Sequence, residues 1–194
     1  MRTADLRRKT NETDILINLD IDGTGKYSVE TGIGFFNHML ELFSRHSLID
    51  LKVEASGDIS VDGHHTIEDT AIALASALKK ALGNKEKINR YGFASIPMDE
   101  ALSNVTIDLS GRPFAVFNCP VSQGRMGEMD FETVEEFITA FACNLGANIH
   151  INVLYGSNRH HIAESIFKGL ARSLRQAVTI DNKETGIPST KGEI

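Results

Sequence analysis

The chain has 194 residues, of which 41% are hydrophobic and 24% charged, a composition that suits one soluble globular domain or two of about 100 residues each. A net charge of −6 and a single short basic cluster, Arg7, Arg8 and Lys9, argue against a nucleic-acid partner. No apolar run approaches the roughly 20 residues that cross a bilayer, and the two cysteines, Cys119 and Cys143, form no disulfide framework and lack metal-ligand spacing, so reduced thiols and a cytoplasmic setting are expected.

The N-terminal "MRTADLRRKTNETD" is basic with no apolar stretch behind it and does not read as a secretory signal. Next, "DILINLDI", "DGTG" and "KYSVE" read as strand, turn and strand, a hairpin signal. Apolar spacing predicts a helix over "GFFNHMLELFSRH" (34–46), and alternation predicts a strand over "LIDLKVEAS" (48–56). After "DGHHTIED" comes a second helix, with Ala71, Leu74, Leu78 and Leu82 on one stripe. Residues 83–90, "GNKEKINR", are a polar linker. The order then recurs. Strands are expected over "GFASIPMDEALSNVTIDLS" and "GRPFAVFNC", a helix over "ETVEEFITAFACNL", a strand over "ANIHINVLYG", and a helix after "NRHHIAES" carrying Ile166, Leu170, Leu174 and Val178 on one stripe. Gly169 within that helix marks close packing rather than a break. The tail "TGIPSTKGEI" is too rich in Gly, Pro and Ser for regular structure.

The recurrence is a duplication. His64 and His160 lie 96 residues apart, and at that shift Ala75 falls on Ala171, Leu78 on Leu174 and Ala81 on Ala177. The expected fold class is therefore α+β: an internally duplicated unit, each half a sheet with two helices on one face. The halves are bounded at 1–84 and 85–180, with a separate tail at 181–194.

Four of the seven histidines fall in two copies of His-His-x-x-Glu. His64 and Glu68, and likewise His160 and Glu164, are four residues apart and share a helix face. Imidazole with carboxylate is a ligand set for first-row divalent metals, tilted by its oxygens toward Mn or Zn. His65 and His161 sit about 100° further round, so each pair points two ways, as metals shared between elements or subunits would require. His38 on the preceding helix, and Glu136 on its counterpart in the second half, complete eight candidate ligands. Among the remaining histidines, His150 on a strand reads as structural, and His46 at a helix C-terminus is ambiguous. The pattern is not His-Glu-x-x-His, whose glutamate acts as a base between its ligands, which disfavours a metalloprotease.

Together, "GIGFFNHML", "DGHHTIED", "RYGFASIPMDEAL", "DLSGRP", "NRHHIAESIFKGLARSLRQA" and "PSTKG" resemble the imidazoleglycerol-phosphate dehydratase family nearly end to end and in order; "RKTNETDI" matches its N-terminal element. The resemblance implies two four-stranded sheets with helices packed between them, of the ribosomal protein S5 domain 2-like type. It also implies a homo-oligomer of 24 subunits built from trimers, with sites between subunits, two Mn2+ per site, and dehydration of imidazoleglycerol phosphate to imidazoleacetol phosphate in histidine biosynthesis. Carried over, one ion takes His38, His65, His160 and Glu164, and the other His64, Glu68, His161 and Glu136. Many members have histidine at the position of Glu136, which here either supplies an oxygen ligand or leaves that place to water; many have aspartate at the position of Asn37. Glu12, from a neighbouring subunit, and Glu164 are expected to move the protons, with Glu68 as rival. Arg90, Arg112, Ser189 and Lys191 match the phosphate-binding positions, and His46, Asp99 and Lys168 are further candidates for the pocket. Two other readings compete. A metal-clamped structural assembly needs none of the phosphate-binding cations, and a hydrolase would need a nucleophile motif such as G-x-S-x-G, which is lacking.

Overall fold

The structure, a computed structural model, describes residues 1–194. The first half contains β1 (Thr3–Lys9), β2 (Thr13–Asp20), β3 (Tyr27–Glu30), α1 (Gly34–Ser47), β4 (Asp50–Gly57) and α2 (His64–Leu82). The second contains β5 (Tyr91–Met98), β6 (Ala101–Asp108), β7 (Phe114–Asn118), the short ribbon β8 (Arg125–Met126) and β9 (Met129–Asp130), α3 (Glu132–Leu145), β10 (Asn148–Tyr155) and α4 (Arg159–Val178). The sheet orders are β1-β2-β4-β3 and β5-β6-β10-β7. In each, the edge strand before the first helix returns parallel to the strand after it, β3 with β4 and β7 with β10. The α+β class and the duplicated, four-stranded plan hold.

The hairpin expected across "DGTG" does not form. β4 lies between β2 and β3, pairing antiparallel with one and parallel with the other. The turn chemistry serves a crossing instead. Asp50 Oδ1, at the start of β4, accepts from the Thr24 and Lys26 amides at 2.7 and 2.8 Å. Gly23 lies so close that an added Cβ would sit 2.5 Å from the Asp50 carboxyl carbon. The real hairpin is one strand earlier, β1 with β2 from Lys9↔Asp14 to Thr3↔Asp20. Its turn is closed by Thr10 Oγ1, which accepts from the Glu12 and Thr13 amides at 3.1 and 3.0 Å.

The four helices fill the space between the sheets and pack across the halves, α1 on α4 and α2 on α3. One core of 50 buried residues runs through both halves. At its centre Phe137 meets Phe36, Phe141 and Phe167 at centroid distances of 5.8, 5.8 and 5.0 Å, tying three helices together. Gly169 lets α4 press onto β6, since a Cβ there would meet Val105 Cγ2 at 2.6 Å. This cross-packing sets the start of α4 beside α1, and each His-His motif forms the first turn of its helix.

Candidate active site

Both motif helices open in the same way. Asp62 Oδ1 accepts the His64 amide at 2.8 Å, and Asn158 Oδ1 accepts the His160 amide at 2.9 Å. Asp62 and Asn158 are themselves 96 residues apart. Each satisfies an otherwise free first-turn donor, which fixes where the histidines begin.

The best-formed cluster surrounds Glu164, whose side chain is 8% exposed. Its Oε1 lies 2.9 Å from His160 Nε2 and 3.3 Å from His38 Nε2; its Oε2 accepts from Lys168 Nζ at 2.5 Å. Burial alone would push this carboxyl up, but the Lys168 ammonium and the hydrogen bonds from His160 and His38 hold it down at about 2, so it is a carboxylate. Phe35 braces the His160 ring edge-on at 4.9 Å. The C-terminal end of α1 places His46 near Lys168 and Arg172; burial and then those two cations lower its pKa.

The other candidates occupy separate positions. His64 Nε2 is 3.8 Å from Glu68 Oε2, on the same helix. His65 Nδ1 lies 3.0 Å from Asp58 Oδ2 and 3.9 Å from Glu12 Oε2. His161 Nδ1 lies 2.6 Å from Glu100 Oε2, and its Nε2 is 3.5 Å from Asp99 Oδ2. Glu136 is exposed on α3, which packs on the helix of His64 and Glu68, but it makes no ion pair with them. Asn37 Oδ1 accepts from the Thr31 amide at 2.9 Å and from its hydroxyl, as an aspartate would.

The eight expected ligands thus do not converge within one chain, and no three His, Cys, Asp or Glu side chains are arranged to hold a metal unaided. The donor chemistry nonetheless fits a divalent cation. Both nitrogens facing Glu164 are at separations close to those of neighbouring ligands on one ion, roughly 3 Å for bonds near 2.1 Å. The His38, His64 and His160 side chains are each more than 40% exposed, open to a further partner.

Arg90, Arg112, Ser189 and Lys191 line a single cavity of about 910 Å³ formed where the tail folds back. Arg90 is bidentate to Asp108 at 2.7 and 3.2 Å and donates to the Pro188 carbonyl at 2.9 Å. Arg90, Arg112 and Lys191 bring three cationic side chains to this cavity, beside Glu184 and Glu193. The cavity lies at the start of β5, whereas the His161–Glu100 pair lies beyond its end. Eight residues at ~3.3 Å each put roughly 26 Å between them.

Two carboxylates escaped the sequence reading, Asp58 and Glu100. Both sit in loops, one just after β4 and one in the β5–β6 turn. Neither belongs to the duplicated motif, so spacing offered no signal for them.

A family model described as imidazoleglycerol-phosphate dehydratase matches residues 31–174. The chain is 54% identical to the imidazoleglycerol-phosphate dehydratase of Methylorubrum populi, over all of both chains. It is 56% identical to that of Rhodopseudomonas palustris, over 100% of this chain and 99% of the relative. The crystal structure of the Staphylococcus aureus enzyme superposes with a TM-score of 0.84 at 38% identity, covering 92% of this chain and 99% of the other. That of Pyrococcus furiosus does so with a TM-score of 0.84 at 35% identity, covering 97% and 100%. The chain belongs to the imidazoleglycerol-phosphate dehydratase family and is a hydro-lyase of histidine biosynthesis.

Proposed function

We propose that this chain converts D-erythro-imidazoleglycerol phosphate to imidazoleacetol phosphate and water using two Mn2+ per site, in sites assembled between subunits of a cytoplasmic homo-oligomer, a 24-mer of trimers. The observation that carries the reading is the pairing of Glu164 with His38 and His160, imidazole and carboxylate donors drawn from opposite halves onto one point. The ~26 Å between the cationic cavity and the His161–Glu100 pair supports sites shared between copies, because one small substrate cannot reach both within a chain.

One ion is assigned to His38, His65, His160 and Glu164, the other to His64, Glu68, His161 and Glu136. Bound Mn2+ would supply Lewis acidity toward the imidazole ring and a template for its orientation. Glu164, held ionised by Lys168, is assigned with Glu12 to the proton transfers, and Lys168 Nζ, 2.5 Å from Glu164 Oε2, is the source of the proton it passes to a departing hydroxyl. Glu12 is the freer carboxylate, since no hydrogen bond engages its oxygens and its side chain is 55% exposed. It is assigned the carbon-bound proton, with Glu68, 42% exposed, as the alternative. Arg90, Arg112, Ser189 and Lys191 hold the phosphate, Arg112 by paired N–H donors, Arg90 by the N–H groups that Asp108 and Pro188 leave over, and the lysine as a point charge. Asp99 and His46 are assigned to the substrate pocket as further candidates.

The test is direct. Purified protein with Mn2+ and imidazoleglycerol phosphate should yield the enolisable ketone, and His64→Ala should abolish it. No turnover with any divalent metal would overturn the reading.

A further inference from the structure

In each His-His pair the first histidine faces the glutamate of its own helix through Nε2, whereas the second is held from outside its helix through Nδ1. For His65 the outside group is Asp58, with Nδ1 at 3.0 Å from Oδ2 and 3.3 Å from Oδ1. For His161 it is Glu100, at 2.6 Å. The two carboxylates come from unrelated loops, and neither position has an acidic partner 96 residues away: Leu154 answers to Asp58 and Ala4 to Glu100. The same arrangement has thus been reached twice by different residues, outside the duplication.

An ionised carboxylate only accepts, so each of these Nδ1 atoms must carry the hydrogen. A neutral imidazole then bears its lone pair on Nε2. Glu100 does more than this. Its Oε1 accepts the Ser157 and Asn158 amides at 3.1 and 2.7 Å, clamping the loop that caps α4 to the β5–β6 turn while Oε2 orients the ring. Nothing engages His161 Nε2 closely, since Asp99 Oδ2 lies 3.5 Å away, beyond an ordinary hydrogen bond.

We infer that Asp58 and Glu100 are positioning residues, each fixing the tautomer and ring direction of one histidine so that its Nε2 lone pair is presented to a divalent cation. This rests on the two-metal reading proposed above. Imidazole ligands oriented by a hydrogen-bonded carboxylate bind metal more tightly, and loss of the carboxylate costs about 10–100-fold in affinity.

Glu100→Gln separates positioning from mere structure. Its amide oxygen can still receive the Ser157 and Asn158 amides, so the loop stays clamped. The NH2 that replaces Oε2 would donate to Nδ1 and move the hydrogen to Nε2, the wrong tautomer. Mn2+ affinity of the assembled full-length protein, measured by the electron paramagnetic resonance signal of free Mn2+, should fall about 10–100-fold, with an unchanged assembly size and an unchanged melting point of the metal-free protein. Asp58→Asn should do the same at His65, without touching the α4 loop, and gives the answer if Glu100→Gln does not fold. Wild-type affinity in a folded Gln or Asn variant would overturn the inference. If the unmutated protein takes up no Mn2+, the metal reading falls, and this inference with it; that result is distinct, because it is seen before any substitution.

Discussion

His38 and Glu164 lie 126 residues apart, yet His38 Nε2 is 3.3 Å from Glu164 Oε1. The contact exists because the helices pair across the halves, α1 on α4. Replacing either group strands the other. Glu164→Gln keeps the shape but not the charge, so Lys168 and two imidazoles lose their shared anion. Its kcat should drop by about 10²–10⁴-fold, the range for a lost proton-transfer or charge-stabilising group, and His38→Ala should lower Mn2+ affinity. Steady-state kinetics and Mn2+ titration check both; a Glu164→Gln enzyme within threefold of wild type would be inconsistent with this role.

Metal removal tests the assignment from the stability side. A ligand that binds only the folded state stabilises it by RT ln(1 + [L]/Kd), about 2.7 kcal/mol at a concentration of 100 Kd. Chelator should therefore abolish activity and lower Tm by several degrees, and Mn2+ in excess should restore both. Differential scanning fluorimetry and the dehydration assay read the two together.

Helix positions were legible from sequence because their apolar stripes recur every three to four residues, and α1, α3 and the strands β4 and β10 fall where periodicity set them. Strand order was not legible. β2 and β3 are neighbours in sequence with turn residues between, and only the burial of β4 between them, a long-range fact, separates them. The site divides the same way. His64, Glu68, His160 and Glu164 were visible as a repeated spacing on one helix face. Asp58 and Glu100 were invisible because their relation to His65 and His161 is created by loop geometry. Lys168, which meets Glu164 one helical turn later at 2.5 Å, is within reach of the i,i+4 rule.

Phe137 should be the costliest truncation in the core. It is fully buried and touches aromatic rings of α1, α3 and α4. Phe137→Ala removes those contacts and opens a cavity at the junction of the halves, a cost of about 3–5 kcal/mol. Chemical denaturation should show a lowered midpoint. Because α1 and α4 also carry His38 and Glu164, Mn2+ affinity should fall too, and a variant with lower stability but unchanged Mn2+ affinity would separate the core from the site.

The tail gives a prediction about binding alone. Residues 186–194 cover the cavity of Arg90 and Arg112, with Pro188 O bonded to Arg90 and the chain end seated against Gly111. They contribute Ser189 and Lys191 to that cavity but none of the candidate metal ligands. Truncation after Thr185 should raise KM strongly, and Arg112→Ala should raise it by about one to two orders of magnitude, as loss of a charge-assisted contact worth ~1.5–3 kcal/mol implies. Mn2+ affinity should not change in either variant. Steady-state kinetics with a parallel Mn2+ titration distinguish the outcomes, and unchanged kinetics on truncation would remove the tail from the substrate site.

Glu136 is the one carboxylate assigned to the second ion from outside the His-His-x-x-Glu motifs. It is exposed on α3 and makes no ion pair, and that helix packs on α2, which carries His64 and Glu68. If Glu136 supplies an oxygen ligand, Glu136→Ala removes one of four donors from the second ion only. The count of tightly bound Mn2+ per chain should then fall toward one, while the ion at His38, His160 and Glu164 stays. Glu136→His should restore the second ion, since imidazole suits the same metals. Inductively coupled plasma mass spectrometry on desalted protein gives the count. An alanine variant that keeps both ions would show that water fills the place and that Glu136 is a solvated surface carboxylate.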